Sequence, residues 1–177
     1  MTPRRFLPAV AVLASLPLLA SCSAFQKKEP PPCPPLYLRG DAASLSKYRP
    51  GKGRDLTDVD FSAEIQGYSG ECSYDEKGAI VDVQVNFTLT RGPADDDRKA
   101  SFQYFLAIPY YYPAPEAKAV LPVEVTFPEG QNYIRYTDET VNLRIPVKDK
   151  DVIQKSEIYL GFQTSPEELD ANRKTRR

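Results

Sequence analysis

The chain has 177 residues and a formal net charge of −1, from 23 Lys and Arg against 24 Asp and Glu. That balance excludes a nucleic-acid binder working through bulk positive charge. There is no His, so the commonest general base and commonest metal ligand are both missing, and 17 Pro against 9 Gly count against long helices.

The first element is an address. Arg4 and Arg5 precede an apolar run over residues 6–19, broken only by Ser and Pro. At 14 residues it is too short to cross about 30 Å of hydrocarbon as a helix, and it reads as the core of a secretory signal. The run ends in Leu19-Ala20-Ser21-Cys22, which resembles the lipobox of bacterial lipoproteins. The resemblance implies a signal peptide over residues 1–21, diacylglycerol on the Cys22 sulfur, and a further acyl group such as palmitate on the new amine. One acyl chain holds a protein at a membrane only marginally; two or three on one Cys hold it stably. Ser23 stands where Asp would imply retention at the inner membrane, so the resemblance implies the outer membrane, with the domain in the periplasm by default.

Residues 22–35 read as a tether. Glu29-Pro30-Pro31-Pro32-Cys33-Pro34-Pro35 enforces extended polyproline II, a stiff spacer. Lipidation of Cys22 leaves Cys33 and Cys72, an even pair in an oxidising compartment, which predicts a disulfide. Two Cys without His cannot complete a soft four-ligand metal site, and neither has the His or Cys-x-x-Cys neighbour that a catalytic thiol needs.

Residues 36–164 read as one all-β domain. Leu36-Tyr37-Leu38 is a possible first strand. Period-two alternation follows at Val59, Phe61, Ala63 and Ile65, over residues 81–89, at Leu121, Val123, Val125 and Phe127, and at Val141, Leu143, Ile145 and Val147. Residues 102–108 are apolar on both faces except for Gln103, with Ser101 just before them, predicting a central or doubly covered strand. Tyr133 to Tyr136 is a weaker strand, and Ile158, Leu160 and Phe162 form the last. Pro122 and Pro146 argue for edge strands or bulges. Turn chemistry fills the gaps at Asp75-Glu76-Lys77-Gly78, at Arg91-Gly92-Pro93 into Asp95-Asp96-Asp97, at Pro128-Glu129-Gly130, and in the charged stretch Lys148-Asp149-Lys150-Asp151. About seven strands fit an antiparallel β-sandwich that resembles immunoglobulin-like or fibronectin-like domains; a small closed barrel is the alternative. In residues 165–177, Ser165-Pro166-Glu167-Glu168 predicts an N-cap and a short helix to about residue 172, then a frayed basic tail.

Catalytic chemistry finds little support. No Gly-x-Ser-x-Gly occurs, and no His exists to activate a nucleophile. Asp95-Asp96-Asp97 could hold a hard cation but reads more simply as a solvated loop tip. No metal, no cofactor and no nucleic-acid partner is expected. The unusual surface candidate is Tyr110-Tyr111-Tyr112 between Pro109 and Pro113. One strand cannot turn three consecutive Tyr to one face, so some must lie at an edge or loop, where Tyr is favoured for binding.

Cys33-Pro34-Pro35, Arg54-Asp55-Leu56-Thr57-Asp58, Gly70-Glu71-Cys72-Ser73-Tyr74 and Phe127-Pro128-Glu129-Gly130 give most of the chain a resemblance to small envelope lipoproteins of Gram-negative bacteria. It implies anchor and sandwich and brings no activity with it. The expectation is a non-enzymatic, membrane-anchored protein that binds or scaffolds an envelope protein. The alternative is a carbohydrate- or peptidoglycan-binding module using Tyr110, Tyr111 and Tyr112.

Overall fold

The computed structural model describes residues 32–51, 53–146 and 149–175. The signal peptide, Cys22, the tether as far as residue 31, Val147, Lys148 and the last two residues of the basic tail lie outside them. The described chain is a β-sandwich with two sheets. The first holds, in spatial order, β1 (Leu36–Leu38), β9 (Ile158–Phe162), β5 (Lys99–Ala107) and β6 (Lys118–Thr126). The second holds β2 (Ser44–Tyr48), β3 (Val59–Asp75) and β4 (Gly78–Arg91), with β7 (Tyr133–Thr137) and β8 (Val141–Ile145) sharing the far edge of β4. Every pairing is antiparallel except β1 with β9.

Among the described residues nine strands stand where the sequence suggests about seven. The one without a sequence signal, β2, has a single buried side chain, Leu45, and therefore no apolar alternation to read. Pro122 lies on the edge strand β6, where its missing N–H costs no ladder bond, and Pro146 falls just beyond β8. The stretch after residue 148 is not wholly a loop. Asp149 caps a short helix, α1 (Lys150–Lys155), by accepting from Asp151 N at 2.8 Å, and Ile153 fills a buried site beneath it.

Alternation sends Val81, Val83, Val85, Phe87 and Leu89 of β4 inward against Phe102, Tyr104, Leu106 and Phe162 of the facing sheet. Phe87 is the hub, with ring centroids 5.3 Å from Phe102, 5.3 Å from Tyr104 and 5.8 Å from Phe162. Burial of each such side chain contributes about 1.5–3 kcal/mol.

Two parity changes shape the second sheet. On β3 the inward set moves from Phe61, Ala63 and Ile65 to Tyr68, Cys72 and Tyr74, and the ladder shifts register between Ile65 and Gly67. On the far edge of β4 the inward set moves from Ile134 and Tyr136 to Val141, Leu143 and Ile145; the break between them carries Asp138, whose N–H donates to Val85 O. The even-numbered side chains of distal β3 then receive the incoming N-terminal segment. Tyr74 donates to Pro32 O at 2.7 Å, Tyr68 donates to Leu36 O at 2.5 Å, and Cys33 is disulfide-bonded to Cys72 with the Cα atoms 5.8 Å apart. Cys72 sits inside β3, which runs on to Asp75.

Helix α2 (Pro166–Thr175) is longer than predicted, and Arg173 belongs to it rather than to a frayed tail. Ser165 and Glu168 form a capping box: Glu168 N donates to Ser165 Oγ at 3.2 Å, and Ser165 N donates to Glu168 Oε2 at 2.8 Å.

Candidate functional site

The inward half of β5 is core, and its outward half defines the site. Ser101 and Gln103 point outward as polar residues should, but the next two outward positions are Phe105 and Ala107. In register beside them stand Tyr159 on β9, opposite Ala107, and Lys118 on β6, also opposite Ala107. Tyr37 on β1 pairs with Tyr159, with ring centroids 5.8 Å apart. A row of aromatic side chains therefore crosses the outer face of the first sheet.

A short 3-10 turn (Gly40–Ala42) covers one part of this face. It settles there because residue 161 is Gly: a Cβ at that position would lie 2.8 Å from Ala42 Cβ and 3.1 Å from Phe105 Cζ. Helix α2 is latched onto the turn and onto β2. The Asn172 amide donates to Asp41 O at 3.1 Å and to Ser44 O at 2.8 Å. Arg173 pairs with Asp41 at 3.0 Å, and Lys47 with Glu168 at 2.8 Å.

Between the turn and α2 on one side and Pro109-Tyr110 on the other lies an open cleft of about 670 Å³. Its floor is Phe105, Ala107 and Tyr159, and its walls include Leu169 and Tyr110. Four cations, Arg39, Lys118, Lys155 and Arg173, line it against two carboxylates, Asp41 and Glu157.

The carboxylates are already engaged. Partial burial opposes ionisation of Asp41, but hydrogen bonds and charge from Arg39 and Arg173 outweigh it and hold the carboxyl below its usual range. Glu157 accepts a 2.5 Å hydrogen bond from the Tyr159 hydroxyl, and that bond, helped by partial desolvation, pushes the phenol up. Among the described residues Lys118 has only a neutral hydrogen-bond partner, Gln163 Oε1 at 2.7 Å, and its ammonium stands 4.6 Å from the centre of the Phe105 ring. Lys155 is exposed. An apolar floor with uncommitted positive charge above it and amide and hydroxyl groups beside it is suited to holding a ligand that carries both a flat apolar face and an anion.

The tyrosine run divides. Pro109–Tyr111 forms a 3-10 turn instead of a strand. Tyr110 is 53% exposed and lines the cleft, whereas Tyr112 is 81% exposed and lies outside it. Tyr111 turns inward onto the core, with its hydroxyl buried and unpartnered among the described residues. Of the predicted surface, then, one residue in three belongs to the cleft. Cys33 and Cys72 meet as expected, on the opposite side of β1 from the aromatic row.

Asp95 is no solvated loop tip: it is buried, paired with Arg91 at 2.6 Å, and accepts from Asp97 N and Arg98 N. Asp96 is exposed and pairs with Arg49 at 2.9 Å. Phe105, Tyr159, Lys118 and Leu169 carry the cleft without having been singled out in sequence. The available signal was apolar residues at outward strand positions, since Phe105 and Tyr159 break the polar-out rule. Comparison with protein-family models, with curated proteins and with solved structures gives no match to this chain in any of the three.

Proposed function

We propose that this chain is a lipid-anchored envelope protein without enzymatic activity, and that its sandwich captures another envelope component in the cleft beside α2. The observation that carries the binding half is the cleft itself, about 670 Å³, apolar-floored and lined by four cations against two carboxylates. The anchoring half is supported by Leu19-Ala20-Ser21-Cys22 and the Pro-rich run that follows. A stiff spacer ahead of a disulfide-pinned segment presents the domain clear of the lipid surface.

A photo-reactive amino acid at position 110 in living cells tests the binding half, with position 142 on the second sheet as the control. A discrete adduct from position 110 alone is expected. Equal adducts from both positions, or none from either, would remove the cleft as a binding site. For the anchor, Cys22→Ser should abolish incorporation of labelled palmitate, and continued labelling would end that half of the reading. Exposed Tyr110, lining the same cleft as Tyr159, favours a second reading of that cleft, as a carbohydrate-binding surface.

A further inference from the structure

On the reading that the cleft is a binding site, we infer that its ligand is an acidic oligosaccharide, stacked along the aromatic row and held at a carboxylate by Lys118. Three features carry this. The first is shape. A shallower hollow of about 520 Å³, lined by Tyr37 and Leu38, shares Arg39, Asp41, Glu157 and Tyr159 with the main cleft. The two hollows adjoin at these shared residues, so together they offer a surface across β1, β9 and β5 that is longer than a single small molecule needs and suited to a short oligomer.

The second is the chemistry of the floor. Strands β9 and β5, which carry the floor, are interior with ladder partners on both sides, so the floor offers side chains and the sheet's free backbone edges lie at its rims, on β1 and β6. An extended peptide that gains its affinity by adding a strand would pair at those rims and not along the floor. A pyranose ring, by contrast, has apolar C–H faces that bury against Tyr and Phe rings, and hydroxyls around its rim. The Gln163 side-chain amide, whose oxygen accepts from Lys118 and whose NH2 donates, and Thr164 line the cleft with the rings and can meet those hydroxyls. A plain acyl chain has no use for them.

The third is charge. Asp41 is occupied by Arg39 and Arg173, and Glu157 by Tyr159, whereas the Lys118 ammonium is directed over the Phe105 ring with only a neutral amide as partner. A sugar lying on Tyr159 and Ala107, beside the Phe105 ring that the ammonium covers, brings a ring carboxylate next to that ammonium, a charge-assisted contact on the rim of an apolar floor.

The test is calorimetric titration of the purified full chain in detergent with tetragalacturonate and sialyllactose, beside neutral cellotetraose and lactose. The acidic sugars should bind saturably, and the neutral ones about tenfold more weakly or not at all, the scale of one lost charge-assisted contact. Lys118→Met, which keeps the aliphatic stem, should erase the preference for acid; Tyr159→Leu should weaken both classes. Unchanged circular dichroism and thermal midpoint would show that the variants fold. Equal affinity for acidic and neutral sugars, binding indifferent to both substitutions, or no binding at all would overturn the assignment. The crosslink from position 110 separates the two levels. An adduct that persists while every sugar fails overturns the sugar assignment and leaves the cleft a binding site for another envelope component, such as a protein. Loss of both removes the site.

Discussion

The Tyr104 hydroxyl donates a 2.8 Å hydrogen bond to Asp138 Oδ2, joining a central strand of one sheet to the broken edge of the other. Tyr136 donates to the second oxygen of the same carboxylate at 3.1 Å. Burial, reinforced by Asp138, pushes the Tyr104 phenol far up, so it is a permanent donor at any pH the fold survives. Asp138→Ala would leave a buried hydroxyl without its acceptor and should cost about 1–3 kcal/mol in chemical denaturation. Tyr104→Phe should cost less, about 0.5–1.5 kcal/mol, because no donor is left orphaned. A larger loss from Tyr104→Phe than from Asp138→Ala would contradict this account.

The disulfide should act on the N-terminal segment more than on the sheets. Cys33→Ala with Cys72→Ala should leave a folded domain that is less stable by roughly 2–4 kcal/mol, the usual scale for such a link. Tyr68 and Tyr74 would still hold the segment through Leu36 O and Pro32 O, but only by single hydrogen bonds. Limited proteolysis should then cut first among the residues ahead of β1. Initial cleavage in a sheet loop instead would argue against this division of labour.

Docking of α2 should be acid-sensitive. Partial burial of Glu168 is outweighed by Lys47 and the Ser165 N–H, so its pKa falls, as does that of Asp41 under Arg39 and Arg173. Carboxyls lowered in the folded state add stability that is complete above their ordinary range, about pH 4, and that is lost as pH falls through the lowered values. Helix α2 should therefore loosen below about pH 4 while the sheets hold. Hydrogen exchange of residues 166–174 against those of β4 measures the difference. Identical acid responses would show that the latch rests on Asn172 rather than on the ion pairs.

Gly161 should tolerate no side chain. A Cβ there meets the Ala42 Cβ at 2.8 Å and the Phe105 ring edge at 3.1 Å. Gly161→Val should lift the Gly40–Ala42 turn and cost about 1–3 kcal/mol as an overpacked site. The same substitution should alter the cleft, since Arg39, Asp41 and Ala42 all line it. A variant with unchanged stability would mean that the turn yields freely.

The sandwich was legible because one face of most strands is apolar and the other polar, as in residues 81–89. The helix start was legible for a local reason, the Ser165 cap and Pro166. Strand β2 was hidden because a lone Leu45 gives no period. Distal β3 was hidden because the bulge after Ile65 flips its parity, so that Tyr68, Cys72 and Tyr74 fall out of phase with Phe61 and Ala63. The tyrosine run announced aromatic surface but not which ring serves it, since a 3-10 turn follows neither strand nor helix period. The cleft depends on register between β1, β9, β5 and β6, which joins distant parts of the chain and has no local signature.

That long-range closure sets an order of assembly. The β3–β4 hairpin turns through Glu76 and Lys77 with Asp75 Oδ1 accepting both Lys77 N and Gly78 N, and it can form as soon as its own residues are available. Among the described residues strand β1 has no ladder partner but β9, and the turn after it waits for Arg173, 132 positions away from Asp41. A chain emerging from its N-terminus must therefore keep Leu36 to Leu38 unpaired until nearly everything else has arrived, and the groove comes into being in the final step of folding.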